Sequence, residues 1–331
     1  MNVPEDTLPK PLTFSLLRLL SDGEFHSGEI LAHKLGVSRT SVSNALKRVD
    51  QYGLTIFSVK GRGYRLLDAP QWLEVDKIKA NLNTPEIFQI ELSDTAPSTN
   101  TILMKGAVSG AARGSVYATE WQSAGRGRLG RAWHTGLGKA LTFSVLWRFD
   151  FGLSALSGLS LVVGIAMMRA LSKLDVTGVG LKWPNDLLNN QGKIAGILIE
   201  AQGDMLGPSL VVIGIGLNWC LPQTIVQRID QPVSDLAHVK AALPERNHLL
   251  ATLLQELANI MSEFAQQGFK SLRAEWERYH LYQNRRVIMS LPDGTGVIGV
   301  VRGVTDEGAL RVETTKGMQI FNAGEISLRE A

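Results

Sequence analysis

Three stretches of this chain bring together residue types that can handle an anion. The first is Gly125-Arg126-Gly127-Arg128-Leu129-Gly130-Arg131. Its glycines leave successive backbone N–H groups uncovered and its arginines add fixed positive charge, so the loop can wrap a phosphate or an acyl-phosphate. It lacks the GxxxxGK[ST] order of a Walker loop. An RGG-like RNA-binding tail is the competing reading; strand-like runs on either side, Val116 to Thr119 and Leu141 to Trp147, speak against it. The second stretch is Lys182-Trp183-Pro184-Asn185-Asp186, then the turn Asn189-Asn190-Gln191-Gly192, then Lys193-Ile194-Ala195-Gly196-Ile197-Leu198-Ile199-Glu200. Asn and Gly between apolar runs signal a hairpin, which puts Lys193 at the mouth of an apolar strand. There it either snorkels to water or points into a pocket where a carboxylate meets a phosphate, and where adenylation needs a cation. The third stretch, Leu210 to Asn218, carries Gly214 and Gly216 inside an apolar strand. Such glycines mark either close approach by a ligand or a glycine-permitted bulge or helix contact, and the residues alone leave both open. Cys220 is the single cysteine, so neither an internal disulfide nor a cysteine metal cluster is possible, and no HxxxH or HxH spacing exists. No metal site is expected.

These loops need elements to hold them. After Asp68-Ala69-Pro70, helical and β-rich runs alternate to about residue 280, the pattern of an α+β domain. Leu153 to Leu174 is the most apolar stretch, but its serines, glycines, Arg169 and Lys173 make it a buried helix rather than a membrane span. Leu249 to Ile260 reads as an amphipathic helix. Beyond residue 283 short strands take over: Arg286 to Leu291, Gly296 to Val301, Leu310 to Thr314 and Gln319 to Asn322. They are separated by Pro292-Asp293-Gly294, Asp306-Glu307-Gly308 and Lys316-Gly317, the spacing of a small β-barrel.

The N-terminal fifth has a different character. Leu12 to Leu20 reads as a helix stopped at Ser21-Asp22-Gly23, and Gly28 to Leu35 as a second. Gly36-Val37 makes a tight turn, and Ser38 is placed to cap a third helix. In that helix Val42, Ala45, Leu46 and Val49 form the apolar side. Arg39, Thr40, Ser43, Asn44, Lys47 and Arg48 form the other, and these residue types reach phosphates and base edges. A hairpin with the basic tip Lys60-Gly61-Arg62-Gly63 follows. The order is that of a winged helix-turn-helix, a small helical adaptor being the alternative. The chain's net charge of +3 lies within the first 67 residues, which agrees with a nucleic-acid face there but is weak support alone.

Taken together, GRGRLGR, KWPND, GKIAGILIE and GIGLN, with Ser98-Thr99-Asn100 upstream, resemble the biotin–protein ligase family. With the winged helix, nearly the whole 331-residue chain resembles its bifunctional bacterial members, which also repress the biotin operon. The resemblance implies an α+β multidomain chain. Its parts are a winged helix-turn-helix (residues 1–67), a central biotin- and ATP-binding ligase domain with a mixed sheet (68–283) and a C-terminal SH3-like barrel (284–331). It implies biotin and ATP as substrates with Mg²⁺ accompanying the ATP. The implied partners are a biotin carboxyl carrier protein, operator DNA and a second copy of the chain once biotinyl-5′-AMP is bound. Position by position, it implies that Ser98, Thr99, Asn100 and Gln122 meet the polar ring of biotin. Arg126, Gly127 and Arg128 meet its carboxyl and the adenylate phosphate. Lys193 bridges carboxylate and phosphate, Gly214 and Gly216 line the apolar slot, and Asp186 stands near the incoming lysine. Gly125, Gly130, Arg131 and Trp133 complete the adenylate loop, and Leu221 to Pro232 is a second ordering loop. Lys60 and Arg62 join the recognition helix on DNA. Leu129 and Pro97 depart from the family pattern, where an arginine and an aspartate are common, without removing a catalytic group. A lipoate ligase of related fold and a repressor that senses ligand without catalysis are the alternatives. A location in the cytoplasm, without membrane attachment, is expected.

Overall fold

The structure is a computed structural model, and residues 8–291, 295–323 and 327–330 of it are described here. The turn expected at Pro292-Asp293-Gly294 lies outside the described residues. The first helix, α1 (Pro11–Leu19), starts on a proline, whose missing N–H costs nothing in a first turn. α2 (Gly28–Leu35) is capped by Ser27 and ended by Gly36 at φ 63°, the left-handed turn expected of Gly36. Ser38 caps α3 (Arg39–Leu46) by accepting from the Ser41 N–H. Phe14, Leu17, Leu31, Val42 and Leu46 meet in one buried cluster. The wing is the hairpin β1 (Ile56–Val59) and β2 (Gly63–Leu66), paired from Ile56↔Leu66 to Val59↔Gly63.

This unit does not stand apart. Leu137, from far along the chain, is fully buried in its core, and the Leu137 N–H donates to the Tyr52 carbonyl at 2.8 Å. The Tyr52 ring meets Trp121 edge-on, the Trp72 indole N–H donates to Ser21, and Arg18 pairs with Asp94.

After α4 (Val75–Ala80), β3 (Gln89–Ala96), α5 (Thr99–Val108) and β4 (Ser115–Gln122) form a β–α–β unit whose strands pair in parallel. β5 (Ala140–Phe149), α6 (Leu159–Lys173), β6 (Gly180–Lys182), β7 (Asp186–Leu188), β8 (Lys193–Gly203) and β9 (Ser209–Asn218) follow. Every other pairing is antiparallel, so the seven-stranded sheet is mixed, with order β3-β4-β5-β9-β8-β7-β6. Period two then assigns the faces. Val211, Ile213, Ile215 and Leu217 of β9 join α6 in the large core; α8 (Arg246–Gln267), which follows the short α7 (Gln223–Val226), packs there too. Val212 faces the other way, under α5, beside Leu146 of β5. Gly214 and Gly216 share that face with Val212, and there they hollow it.

α9 (Arg273–Tyr279) leads into an antiparallel sheet of β10 (Arg286–Ser290), β11 (Gly296–Val304), β12 (Leu310–Thr314), β13 (Gly317–Phe321) and β14 (Ser327–Glu330). This is the expected small SH3-like sheet, with one more strand, β14, than the sequence pattern announces. At the seam, His280 is buried and stacked on Trp276, ring centroids 4.5 Å apart. Burial pushes its imidazole down to about 4, against a smaller opposing pull from Gln283. The folded state therefore keeps His280 neutral while the unfolded chain protonates it. Stability should fall as pH drops from 6.5 toward about 4, by about 3 kcal/mol across that window, and level off below. Urea unfolding at stepped pH checks this: His280→Phe, which preserves the stack, should flatten the profile, and an unchanged slope would remove His280 as its source.

Candidate active site and DNA-binding face

The hollowed face of the sheet becomes a slot. A Cβ on Gly214 would lie 2.1 Å from Asn100 Oδ1, and one on Gly216 would lie 2.3 Å from the Trp133 indole, so any larger residue would displace what stands there. What stands over the two glycines is the protein's own side chains, Asn100 of α5 over Gly214 and Trp133 over Gly216, which is a helix and loop contact rather than a bulge. Ser98 and Thr99, at the start of α5, are buried at one end. The Thr99 N–H donates to Gln122 Oε1 at 2.9 Å, and the Ser144 hydroxyl lies 2.7 Å from Thr99 Oγ1 and 2.6 Å from Asn100 Oδ1. Asn100 also donates to the Leu198 carbonyl and to Glu200, so the protein itself occupies its amide. It lines the slot as a brace rather than as an open donor.

The glycine–arginine loop lies across this slot. The Trp133 N–H donates to the Gly125 carbonyl, and the Gly127 N–H donates to the Arg131 carbonyl at 2.7 Å, so the loop doubles back on itself. Its tip turns through Leu129 at φ 56° and Gly130 at φ 70°. The sequence offers this loop no core to join, and the structure supplies polar anchors instead. Arg126 reaches Glu200 at 2.7 Å. Arg128 donates to Asn185 Oδ1 at 3.0 Å and also to the Ala323 carbonyl. Burial lowers the Arg128 guanidinium from its ordinary value, with Asp186 opposing the shift. The Trp133 indole N–H is buried in the slot and has no hydrogen-bond partner among the described residues.

Lys193 does not snorkel. It opens β8 with only 17 % of its side chain exposed, and its Nζ sits 2.6 Å from Asp186 Oδ1. Its backbone is held by the end of the Leu221–Pro232 stretch and the residues just after it: the Lys193 N–H donates to the Pro232 carbonyl, and the Ser234 N–H donates to the Lys193 carbonyl. The cleft of about 1020 Å³, mouth included, gathers Ser98, Thr99, Asn100, Gln122, Arg126, Gly127, Arg128, Arg131, Trp133, Asp186, Lys193, Gly214 and Gly216. Gly125 and Gly130 shape the loop beside it. A second cleft shares Arg131, Lys182, Asp186 and Lys193 with the first and extends to Arg285 and Tyr282. Leu328 of β14 lines both, so the C-terminal sheet contributes to the site, although its sequence shows no chemistry.

Sequence reasoning assigned no role to Ser144, Asn185 or Glu200. A lone serine amid the apolar run of β5 was an available signal; the other two became legible only through contacts distant in sequence. Among the described residues no cluster of His, Cys, Asp and Glu could hold a metal ion.

On the N-terminal unit, Arg39, Thr40, Ser43 and Asn44 are exposed on α3; the helix stops at Leu46, short of the Val49 the sequence pattern reaches, so Lys47 and Arg48 are exposed just past its end, before a separate turn at Val49–Tyr52. Lys60 and Arg62 are exposed at the wing tip, with the Arg62 guanidinium 4.1 Å above the Phe25 ring.

Comparison with known proteins agrees with this geometry. The model of the biotin/lipoate A/B protein ligase family matches residues 92–218, which hold the slot, the loop and Lys193. The bifunctional ligase/repressor BirA of Salmonella typhimurium is 36% identical over 321 residues, covering 97% of this chain and 98% of that protein. The chain belongs to the biotin/lipoate A/B protein ligase family. Within that family its flanking parts match an HTH domain at residues 13–65 and a biotin protein ligase C-terminal domain at 283–329. BirA of Escherichia coli is 35% identical over 99% of both chains. Among solved structures of the family, biotin protein ligase from Aquifex aeolicus in complex with biotin and ATP superposes with a TM-score of 0.62. It is 25% identical and covers 73% of this chain and 99% of that one. Among the described residues, no helix is long and apolar enough to cross a membrane.

Proposed function

We propose that this chain is an ATP-dependent biotin–protein ligase and a transcriptional repressor. It forms biotinyl-5′-AMP, transfers biotin to a lysine of the biotin carboxyl carrier protein of acetyl-CoA carboxylase, and represses biotin-synthesis genes with the adenylate as corepressor. The observation that carries the ligase reading is Lys193, held at 2.6 Å from Asp186 where the glycine-floored slot meets the arginine loop. Biotin lies in the slot with its ring toward Ser98, Thr99 and Gln122. Its carboxylate attacks the α-phosphorus of ATP and pyrophosphate leaves. Lys193 and Arg128, with Arg126 and Arg131 in the loop, offset the crowding of negative charge. Magnesium enters with ATP as the nucleotide complex, a substrate. The carrier lysine then attacks the mixed anhydride and AMP leaves. Asp186 orients that amine or takes its proton once Lys193 turns to the anions, and the loop keeps water off the anhydride. The shared second cleft offers cations for the departing pyrophosphate. Incubation with Mg-ATP, biotin and an apo-carrier domain, read by intact mass, should show one added biotin. An unmodified carrier would overturn the ligase reading. Lipoate as the sole substrate accepted would assign the lipoate branch.

What supports the repressor reading lies in residues 1–67, where the exposed polar residues of α3, with Lys47 and Arg48 just beyond its end, stand on the same unit as a basic wing. Arg39→Ala and Lys47→Ala should each lower the slope of log affinity against log salt by about 0.9, the loss of one phosphate contact. Slopes equal to wild type would move the DNA site elsewhere. Point variants are preferable to deleting residues 1–67, since deletion would bare Leu137 and Trp121. One helix-turn-helix reads one half-site, so repression calls for a two-fold dimer. By linkage, biotinyl-5′-AMP should tighten self-association and operator binding by roughly 5- to 150-fold.

A further inference from the structure

We propose that Glu200 is a positioning residue for the ligase reaction: it latches the glycine–arginine loop over the slot through Arg126 and so sets how long biotin and the adenylate stay bound. This rests on the reading of the slot as the biotin site. Period two on β8 brings Gly196, Leu198 and Glu200 to the hollowed face. There the Glu200 carboxylate takes Arg126 Nη2 on both oxygens, at 3.0 and 2.7 Å, and accepts from Asn100 Nδ2 at 2.8 Å. Asn100 in turn fills the space over Gly214 and meets Ser144, which meets Thr99. One carboxylate therefore joins the loop to the residues that would grip the ring of biotin.

The loop's other anchor lies three residues back along β8. Asn185, which accepts from Arg128, also accepts from the Ile197 N–H through its backbone and donates to the Ile197 carbonyl through its side chain. The loop is thus pinned at two points of one strand, and between them Trp133 covers Gly216. Release of a ligand from beneath it requires one pin to open. The Arg126–Glu200 pair is the weaker, being 45 % and 29 % exposed and reachable by salt. Arg128 is less exposed, and besides donating to Asn185 and to the Ala323 carbonyl it feels the charge of Asp186.

The test uses the full chain, preloaded with labelled biotin and chased with unlabelled biotin. Glu200→Gln keeps an acceptor for Asn100 and loses the charge. Dissociation should quicken roughly fivefold, the equivalent of one partly exposed ion pair, and the KM for biotin should rise by more than kcat falls. Glu200→Asp, which retains the charge, should recover part of the effect. Dissociation from wild type should also speed with ionic strength while that from Glu200→Gln does not, a difference that a purely structural carboxylate would not produce. Equal rates and equal salt dependence in wild type and Glu200→Gln would overturn the latch and leave the ligase reading standing. Failure of wild type to bind biotin would overturn both.

Discussion

Replacing Lys193 by alanine should slow formation of the adenylate by about 10²–10³-fold, or roughly 2–4 kcal/mol in the barrier, with the chain still folded. Two anions must touch for the reaction to begin, and their repulsion is largest as the new bond forms. A cation whose contacts strengthen at that moment lowers the barrier more than it tightens either substrate. Lys193 is placed for that role. Little of its side chain meets water, its Nζ stands 5.6 Å from the centroid of the Trp133 ring, and its backbone is fixed to Pro232 and Ser234. Alanine also leaves Asp186 facing the incoming anions with its counter-ion gone, so the variant adds a repulsion as well as losing an attraction. The double variant Lys193→Ala/Asp186→Asn should for that reason form adenylate faster than Lys193→Ala alone. Single-turnover quench measurements with circular dichroism as the folding control decide it. A Lys193→Ala rate near wild type would reduce Lys193 to a residue that merely closes the mouth of β8.

The parts of this protein legible in its sequence are those whose signals are local. Ser38 as a cap, Gly36 as a left-handed turn and the apolar runs that become β8 and β9 each depend on residues within a few positions, and the structure places a cap, a left-handed glycine and two paired strands there. β3 escaped because Gln89–Ala96 is only partly buried, so it lacks a clean period-two apolar pattern, and its parallel pairing with β4 leaves no turn signal between them. β14 escaped because it is short and pairs with β10, some forty residues away. The site shows the same division. Glycines, arginines and Lys193 announce themselves by type and spacing. The partners that aim them, Glu200 for Arg126 and Asn185 for Arg128, are ordinary residues whose meaning lies in a fold contact. Asn100 is the instructive case: its place in the Ser-Thr-Asn triplet suggests a ligand contact, and only the geometry shows that Ser144, Leu198 and Glu200 already use its amide.

The buried pair of Arg246 and Glu120 should carry the largest stability effect. Arg246 is 0 % exposed and Glu120 4 %, and their charged ends meet at 2.8 Å between the start of α8 and β4. Arg246 also donates to the carbonyls of Gln71 and Ala140, while Glu120 accepts from the Leu73 N–H. The pair thereby fastens the stretch of chain that leaves the DNA-binding unit to β4 and β5 of the catalytic sheet, beside the Leu137 contact. Arg246→Met keeps most of the volume but leaves a buried carboxylate with a single N–H partner and strands two carbonyls. The expected cost is about 3–5 kcal/mol, read as a lowered urea midpoint. Removing the orphaned charge as well should restore much of it, because a well-packed apolar pair avoids the desolvation that the ions suffer. Arg246→Met/Glu120→Leu is therefore expected to be more stable than Arg246→Met, an order opposite to additive damage. If the double variant is instead weaker by the sum of its parts, charge is not what the pair contributes, and the carbonyl contacts of Arg246 to Gln71 and Ala140 are what hold this junction.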